Sequence, residues 1–397
     1  MMQADTVDQP FEPGRRPAPA QPLPLSLYVH VPWCVRKCPY CDFNSHPLRD
    51  EVPEAAYLDA LIQDLEHALP QVWGRPVETV FVGGGTPSLL TPEAVDRLLT
   101  AVRTLLPLRP GAEITLEANP GTFERARFRG YREAGVNRLS LGIQSFDDRF
   151  LKALGRIHDG REARAAIDGA LALFERVNLD LMYALPGQTP ADLARDLAAA
   201  LAHGPQHLSC YHLTLEPNTA FAAAPPVLPD DDAAAVMQDQ VEAALAGASY
   251  QHYETSAYAR PGQACRHNLN YWQFGDYLGI GAGAHAKLSL HDRVLRQSRP
   301  KHPKDYMAWV ASGRPPEDER ALAAGDLKFE FMMNALRLHA GFDEALFTER
   351  TGLPLSSLAG ALGEAEERGL LLRDGARMAP TERGRHFLND LLQVFLD

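Results

Sequence analysis

Between Ser26 and Leu215 the chain alternates short β-branched or apolar runs with amphipathic stretches of helical length. The runs are SLYVHV from Ser26, TVFVGG from Thr79, EITLEAN from Glu113, RLSLGIQS from Arg138, NLDLMYA from Asn178 and HLSCYHLTL from His207. Helical patterns fill the intervals, over 54–69, 92–105, 161–176 and 190–203, and the Thr-Pro pairs at 91–92 and 189–190 supply an N-cap followed by a proline at the first helical position. This is a repeating βα pattern. Each strand ends in chemically marked residues: cysteines after the first, GGGTPS after the second, EANPG after the third, Gln144 at the fourth, DLMYALPGQT through the fifth and LEPNT after the sixth. Marked residues at six consecutive strand ends converge only if the strands curve around one mouth. The predicted fold is therefore α/β, a partial (β/α)6 barrel over 25–222.

Outside that block the pattern changes twice. Residues 1–24 are proline-rich without a long apolar run, so they read as a flexible tail and not as a signal peptide or spanning helix. Residues 223–324 read as an extension of the barrel, with a hairpin turning at His291-Asp292. From 325 to 397, three helical segments, a small hairpin and a last helix from Thr381 predict a winged-helix-like domain. Its 8 Lys+Arg against 12 Asp+Glu oppose phosphate binding, so docking or covering is the expected role, not DNA recognition.

Composition narrows the setting. The whole chain carries 39 Lys+Arg and 51 Asp+Glu, a net charge of −12, which gives no basic field for nucleic acid or an anionic membrane. No window supplies the apolar length of a spanning helix, so any membrane contact is expected to be peripheral, at the inner face. Five cysteines, an odd number and clustered, point to metal or redox chemistry in a reducing cytoplasm and not to a disulfide framework.

Three of those cysteines, Cys34, Cys38 and Cys41, fall within eight positions directly after the first strand. Three thiolates leave one position open, either on a zinc ion or on one iron of an iron-sulfur cluster. His30 or His46 would close a zinc site, and three unconnected buried cysteines are the plainer reading. The glycines of the GGGTP turn let backbone approach a charged ligand, although a glycine turn between strand and helix is also an ordinary structural device.

The C-x3-C-x-aromatic-C spacing, with Tyr40 at the aromatic position, resembles the radical S-adenosylmethionine (SAM) superfamily. That resemblance implies a [4Fe-4S] cluster on Cys34, Cys38 and Cys41 whose open iron chelates SAM. It also implies SAM contacts from Tyr28, Tyr40, Gly84, Gly85, Thr86, Glu117, Gln144, Arg156 and Asp180. VHVPWC, CDFNSH, FVGGGTPS and LGIQSF extend the likeness to the coproporphyrinogen III oxidase-like branch. Within it, the oxygen-independent coproporphyrinogen dehydrogenases carry a further cysteine two places after the triad, where this chain has Phe43, and a longer N-terminal segment.

The segment HNLNYW at 267–272 instead resembles the signature of HemW-type haem chaperones. The resemblance implies haem as cargo, with His267, Asn268, Tyr271 and Trp272 at its site and respiratory apoproteins as recipients. Imidazole can ligate haem iron and aromatic rings can cover a porphyrin, while buried structural roles for the same residues are the bland alternative. The glycines of YLGIGAGAHA, 277–286, lack a surrounding βαβ unit. They read as close backbone packing, not as a dinucleotide fingerprint.

Overall fold

The computed structural model describes residues 17–48, 51–316 and 318–396. All six anticipated strands form: β1 (Leu25–Val31), β2 (Val77–Gly84), β3 (Leu108–Ala118), β4 (Arg138–Gln144), β5 (Arg176–Tyr183) and β6 (His207–His212). They lie side by side in sequence order and pair in parallel. The period of two decides what each face carries. Leu25, Leu27, Val29 and Val31 of β1 are at most 1% exposed and belong to the main apolar core, whereas Ser26, Tyr28 and His30 face the opposite, concave side. That side is polar along the whole series, from Thr79 through Glu113, Arg138 and Asn178 to His207.

The sheet is wider than the expected barrel. Two short strands, β7 (Gln251–Glu254) and β8 (Ala257–Ala259), extend it beyond β6. On the other flank β9 (Asp276–Ile280) pairs in parallel with β1, and β10 (His285–Ser289), β11 (Val294–Ser298) and β12 (Asp318–Ala321) continue it antiparallel. Residues 223–324 thus complete both edges of one 12-stranded sheet. The hairpin turn at His291-Asp292 connects β10 to β11 as its sequence suggested. The helix Arg266–Trp272 lies against the concave face, where the His267 ring centroid is 5.0 Å from that of Phe81 on β2.

Helices Glu54–Val72, Pro92–Leu105 and Pro190–His203 follow their predicted starts closely. Thr91 accepts a hydrogen bond from the Ala94 amide, and Thr189 forms a reciprocal capping box with Asp192.

The C-terminal part has its own apolar core around Phe331, which meets Phe342 and Phe347 edge-on and draws in Phe274 and Val294 from the sheet side. Its helices are Ala324–Ala335, Glu344–Thr351 and Ala359–Glu367, with a three-stranded sheet built from Phe342–Asp343, Leu371–Asp374 and Arg377–Pro380. The expected single last helix is two, Glu382–His386 and Leu388–Gln393, because the backbone at Phe387 leaves helical geometry.

One expectation needs correction. Of the supposed tail 1–24, residues 1–16 lie outside the described residues, but within 17–24 Pro17, Pro19 and Leu23 are buried. Leu23 is buried and accepts a hydrogen bond from Arg75, Pro24 accepts one from the Asp276 amide, and the Ala18 backbone sits against Gly352. Proline-rich composition suggested a flexible tail and missed these contacts with Arg75, Asp276 and Gly352.

Candidate functional site

The cysteine loop is fastened at both ends. Trp33–Cys34 pairs in parallel with His46–Pro47, and Lys37 donates to the carbonyls of Phe43 and Ser45 at 3.1 and 3.3 Å. Asn44 donates to the carbonyls of Ala282 and Lys301, both at 2.9 Å, tying the loop to the β9–β10 side. The loop therefore closes over the C-terminal rim of β1 to β6. Cys34, Cys38 and Cys41 are all partly buried free thiols lining one cavity of about 350 Å3. Burial pushes the Cys34 and Cys41 thiols up, partly offset for Cys34 by the Thr86 and Ser45 hydroxyls and for Cys41 by the Phe43 backbone and Ser45. Thiols held this way ionise when a metal takes the proton's place. Among the described residues no three His, Cys, Asp or Glu side chains gather around a single ion. His30 is not available to close a zinc site, since its two ring nitrogens bond Tyr28 Oη at 3.0 Å and the Asn44 carbonyl at 2.8 Å.

The strand ends supply the rest of that cavity from one face. Gly84, Glu117, Gly142, Gln144 and Asp180 line it with Gly85, Thr86, Tyr40 and Arg156. Gln144 stands at a register shift between β4 and β5 with a left-handed backbone, φ 65°, a strained conformation for a residue with a side chain. Arg156 donates to Asn119 Oδ1 and to the Gly142 carbonyl, both at 2.7 Å, and reaches Cys38 Sγ at 3.7 Å, while its buried Nε has no partner. An unpaired buried guanidinium N–H of this kind is suited to an acceptor such as a carboxylate. Glu117 accepts from the Gly84 amide at 3.1 Å. Burial first, then the Asp180 charge, pushes its carboxyl up to about 8. Asp180 is raised too, mainly by burial, against bonds from Asn178 at 2.8 Å and Ser140 at 3.2 Å.

The GGGTP glycines serve the frame first. A Cβ on Gly84, whose φ is 113°, would fall 2.6 Å from His30 Cε1, and one on Gly85 would fall 2.5 Å from the Trp33 carbonyl. The close approach that the sequence suggested for a ligand is used by the cysteine loop and β1 themselves.

Beside this cavity lies a larger one of about 780 Å3, and Asp42, Phe43, Gly84 and Glu117 border both. Tyr28 lines the larger cavity and stacks on Phe81, close enough to feel the charge of Glu117, which borders both cavities. Tyr271 and Trp272 line the larger cavity, as their place in HNLNYW led one to expect. His267 and Asn268 do not. His267 is 1% exposed, its Nδ1 bonded to Thr79 Oγ1 at 2.7 Å and its Nε2 to Tyr271 Oη at 3.0 Å. Burial, with the Arg138 charge, drives its pKa down to about 3. Both ring nitrogens are thus committed, and coordinating an iron through either one would give up the bond made there. Asn270, next in the motif, donates to Ser26 Oγ at 2.9 Å and the Asp276 carbonyl at 2.8 Å. One half of the motif fastens the helix to the barrel and the other presents rings to the cavity.

Sequence reasoning did not single out Asn119, Lys37, Tyr277 and His285, which line the two cavities. The EANPG strand end was the signal for Asn119. The GIGAGAH glycines were read correctly as close packing: a Cβ on Gly279 would fall 2.0 Å from the His285 carbonyl and one on Gly283 2.3 Å from Asn44 Nδ2. That closeness is what brings His285 to the cavity wall.

A curved parallel sheet with a three-cysteine loop over its C-terminal rim defines the class, and residues 28–200 match the radical SAM superfamily. Residues 322–387 match the HemN C-terminal domain. The protein named heme chaperone HemW from Escherichia coli (strain K12) is 50% identical over 94% of this chain and 98% of its own length. The proteins of that name from Mycobacterium tuberculosis (strain H37Rv) and Bacillus subtilis (strain 168) are 39% and 33% identical, over 97% and 94% of the chain and 97% and 99% of their own lengths. Among solved structures, coproporphyrinogen III oxidase (HemN) from Escherichia coli, a radical SAM enzyme, superposes with a TM-score of 0.80 at 27% identity, over 94% of this chain and 90% of that one. The chain belongs to the HemW family within the radical SAM superfamily. No helix among the described residues is long and apolar enough to cross a membrane.

Proposed function

We propose that this protein is a haem chaperone: it binds haem, holds a [4Fe-4S] cluster and SAM beside it, and passes the haem to respiratory apoproteins. The observation that carries the reading is the pair of adjoining cavities, a thiol-lined one and a larger one walled by Tyr28, Tyr271, Trp272 and Tyr277. The residues of the smaller cavity fit a cluster and SAM. Three free thiols supply soft donors, and the orphaned Arg156 Nε fits the carboxylate of an amino acid ligand.

When bound, the cluster supplies an electron and an iron position open to the amino acid end of SAM. The chain's own residues do the positioning. Arg156 is held flat by Asn119 and Gly142, so its free Nε–H has a fixed direction. Glu117 and Asp180 offer carboxyl oxygens to cationic or hydroxyl groups, and Asn178 and Ser140 hold Asp180 in place. Tyr40 packs against Phe221 and lines the cavity beside the thiols. Phe43 borders both cavities where the oxidase pattern has a cysteine, which favours cargo binding over oxidative decarboxylation.

We further propose the division into residues 25–222, 223–324 and 325–397, with the last part flanking the haem cavity through Asn334. Anaerobic purification should yield iron and sulfide that the triple Cys34, Cys38, Cys41→Ser variant lacks. Haem-loaded protein should transfer its cargo to a haem-free respiratory apoprotein, and incubation with coproporphyrinogen, SAM and reductant should give no protoporphyrinogen. Robust decarboxylation without haem binding overturns the reading.

A further inference from the structure

Resting on the chaperone reading, we infer that haem is seated in the larger cavity with His285 as axial ligand to its iron and Lys37 and Lys301 as partners of its two propionates. The cavity, about 780 Å3, is within the range of sites that enclose whole cofactors. Three histidines border it, His30, His46 and His285. His30 has both ring nitrogens bonded, to Tyr28 and to the Asn44 carbonyl. His46 is turned into a contact of 5.3 Å between ring centroids with His302 and has Nε2 3.4 Å from the Lys301 carbonyl. His285 is exposed to the cavity and, among the described residues, its ring has no hydrogen-bond partner. An imidazole with a free lone pair facing a cavity is the requirement for haem ligation.

Strand register places the remaining groups. His285 and Lys287 alternate on one face of β10, opposite Ser298 and Arg296 of β11, and Tyr277 of β9 is registered with Lys287. The cations of this face differ in what they already hold. Lys287 is buried and paired with Asp276 at 3.1 Å, and Arg296 is paired with Glu330 at 2.6 Å and bonded to Tyr277. Lys37 bonds only backbone carbonyls, and Lys301 has no side-chain partner; among the described residues neither meets a carboxylate. Two ammonium groups on the rim that meet no carboxylate, Lys37 with bonds to carbonyls only and Lys301 without a side-chain partner, together with one free imidazole and aromatic rings on the wall, match a planar iron porphyrin bearing two carboxylates.

The imidazole lone pair enters the iron's coordination sphere without oxidation or reduction, and the bound histidine stays neutral. This assignment uses none of the bonds that hold His267.

The test is a titration of the full-length protein with haem and, separately, with metal-free protoporphyrin IX. His285→Ala should shift the Soret band and weaken haem binding by about tenfold or more while leaving the metal-free porphyrin unchanged. Added imidazole should restore the wild-type spectrum. Lys37→Ala with Lys301→Ala should weaken both porphyrins by about tenfold, since each lost charge-assisted contact acts on the propionates and not on the metal. His267→Gln should keep the wild-type Soret position. Wild-type haem binding with an unchanged Soret band in His285→Ala, or a loss seen only in His267→Gln, overturns this inference and spares the chaperone reading. A wild-type protein that binds no haem overturns both.

Discussion

Replacing His267 with glutamine separates a buried fastener from a metal ligand through the pH dependence of stability. At pH 7.5 the ring is neutral in the folded chain and largely neutral in the unfolded one, so the variant loses only the bonds to Thr79 and Tyr271. Disrupting buried hydrogen bonds of this kind costs about 1 to 3 kcal/mol. As pH falls below 6.5 the unfolded histidine takes a proton that the folded one, with its pKa lowered to about 3, refuses. The unfolded state then binds more protons, and wild-type stability drops with falling pH. At pH 5, 1.5 units below the unfolded value and at about 1.4 kcal/mol per unit, the loss is about 2 kcal/mol. Glutamine does not titrate, so the variant's deficit should shrink by that amount and nearly vanish. His158, lowered to about 4, and His339, lowered to about 3, titrate in the same window but in both proteins, so they cancel in the difference. Urea unfolding at the two pH values gives the comparison directly. A deficit as large at pH 5 as at pH 7.5 would refute the buried, neutral ring.

Three further outcomes follow from the site. Glu117 is neutral below about pH 8 and ionises above it, so affinity for the sulfonium cation of SAM should rise by up to about tenfold between pH 7 and 9 in cluster-replete protein, and Glu117→Gln should flatten the rise in calorimetry. Arg156→Lys keeps the charge but cannot serve Asn119, Gly142 and a ligand carboxylate in one plane. SAM binding should weaken by about tenfold, and unchanged affinity would remove Arg156 from the site. Gly84→Ala places a Cβ 2.6 Å from His30 at φ 113°, which should cost about 1 to 3 kcal/mol or more; a melting temperature equal to wild type would contradict the packing described.

The sequence determined the six strands and their order because each alternates apolar and polar residues at a period of two, and because the connecting helices carry their own caps. It also determined the cysteine loop, since three thiols at short spacing after a strand need no distant partner to be recognised. Side-chain direction was decided only by the tertiary structure. Tyr28 stands opposite Gly279 of β9, and only the folded sheet shows that its ring stacks on Phe81 and lines the larger cavity. His267 was the conspicuous residue of HNLNYW, but burial of the helix on the concave face committed both its nitrogens. His285 carried no local signal. It reaches the cavity wall because Gly279 and Gly283 let β9, β10 and the Asn44 loop close to distances that no side chain permits. A pattern along the chain records which face a residue prefers, whereas who meets whom across that face depends on strands brought together from more than 200 positions apart, as β1 and β9 are.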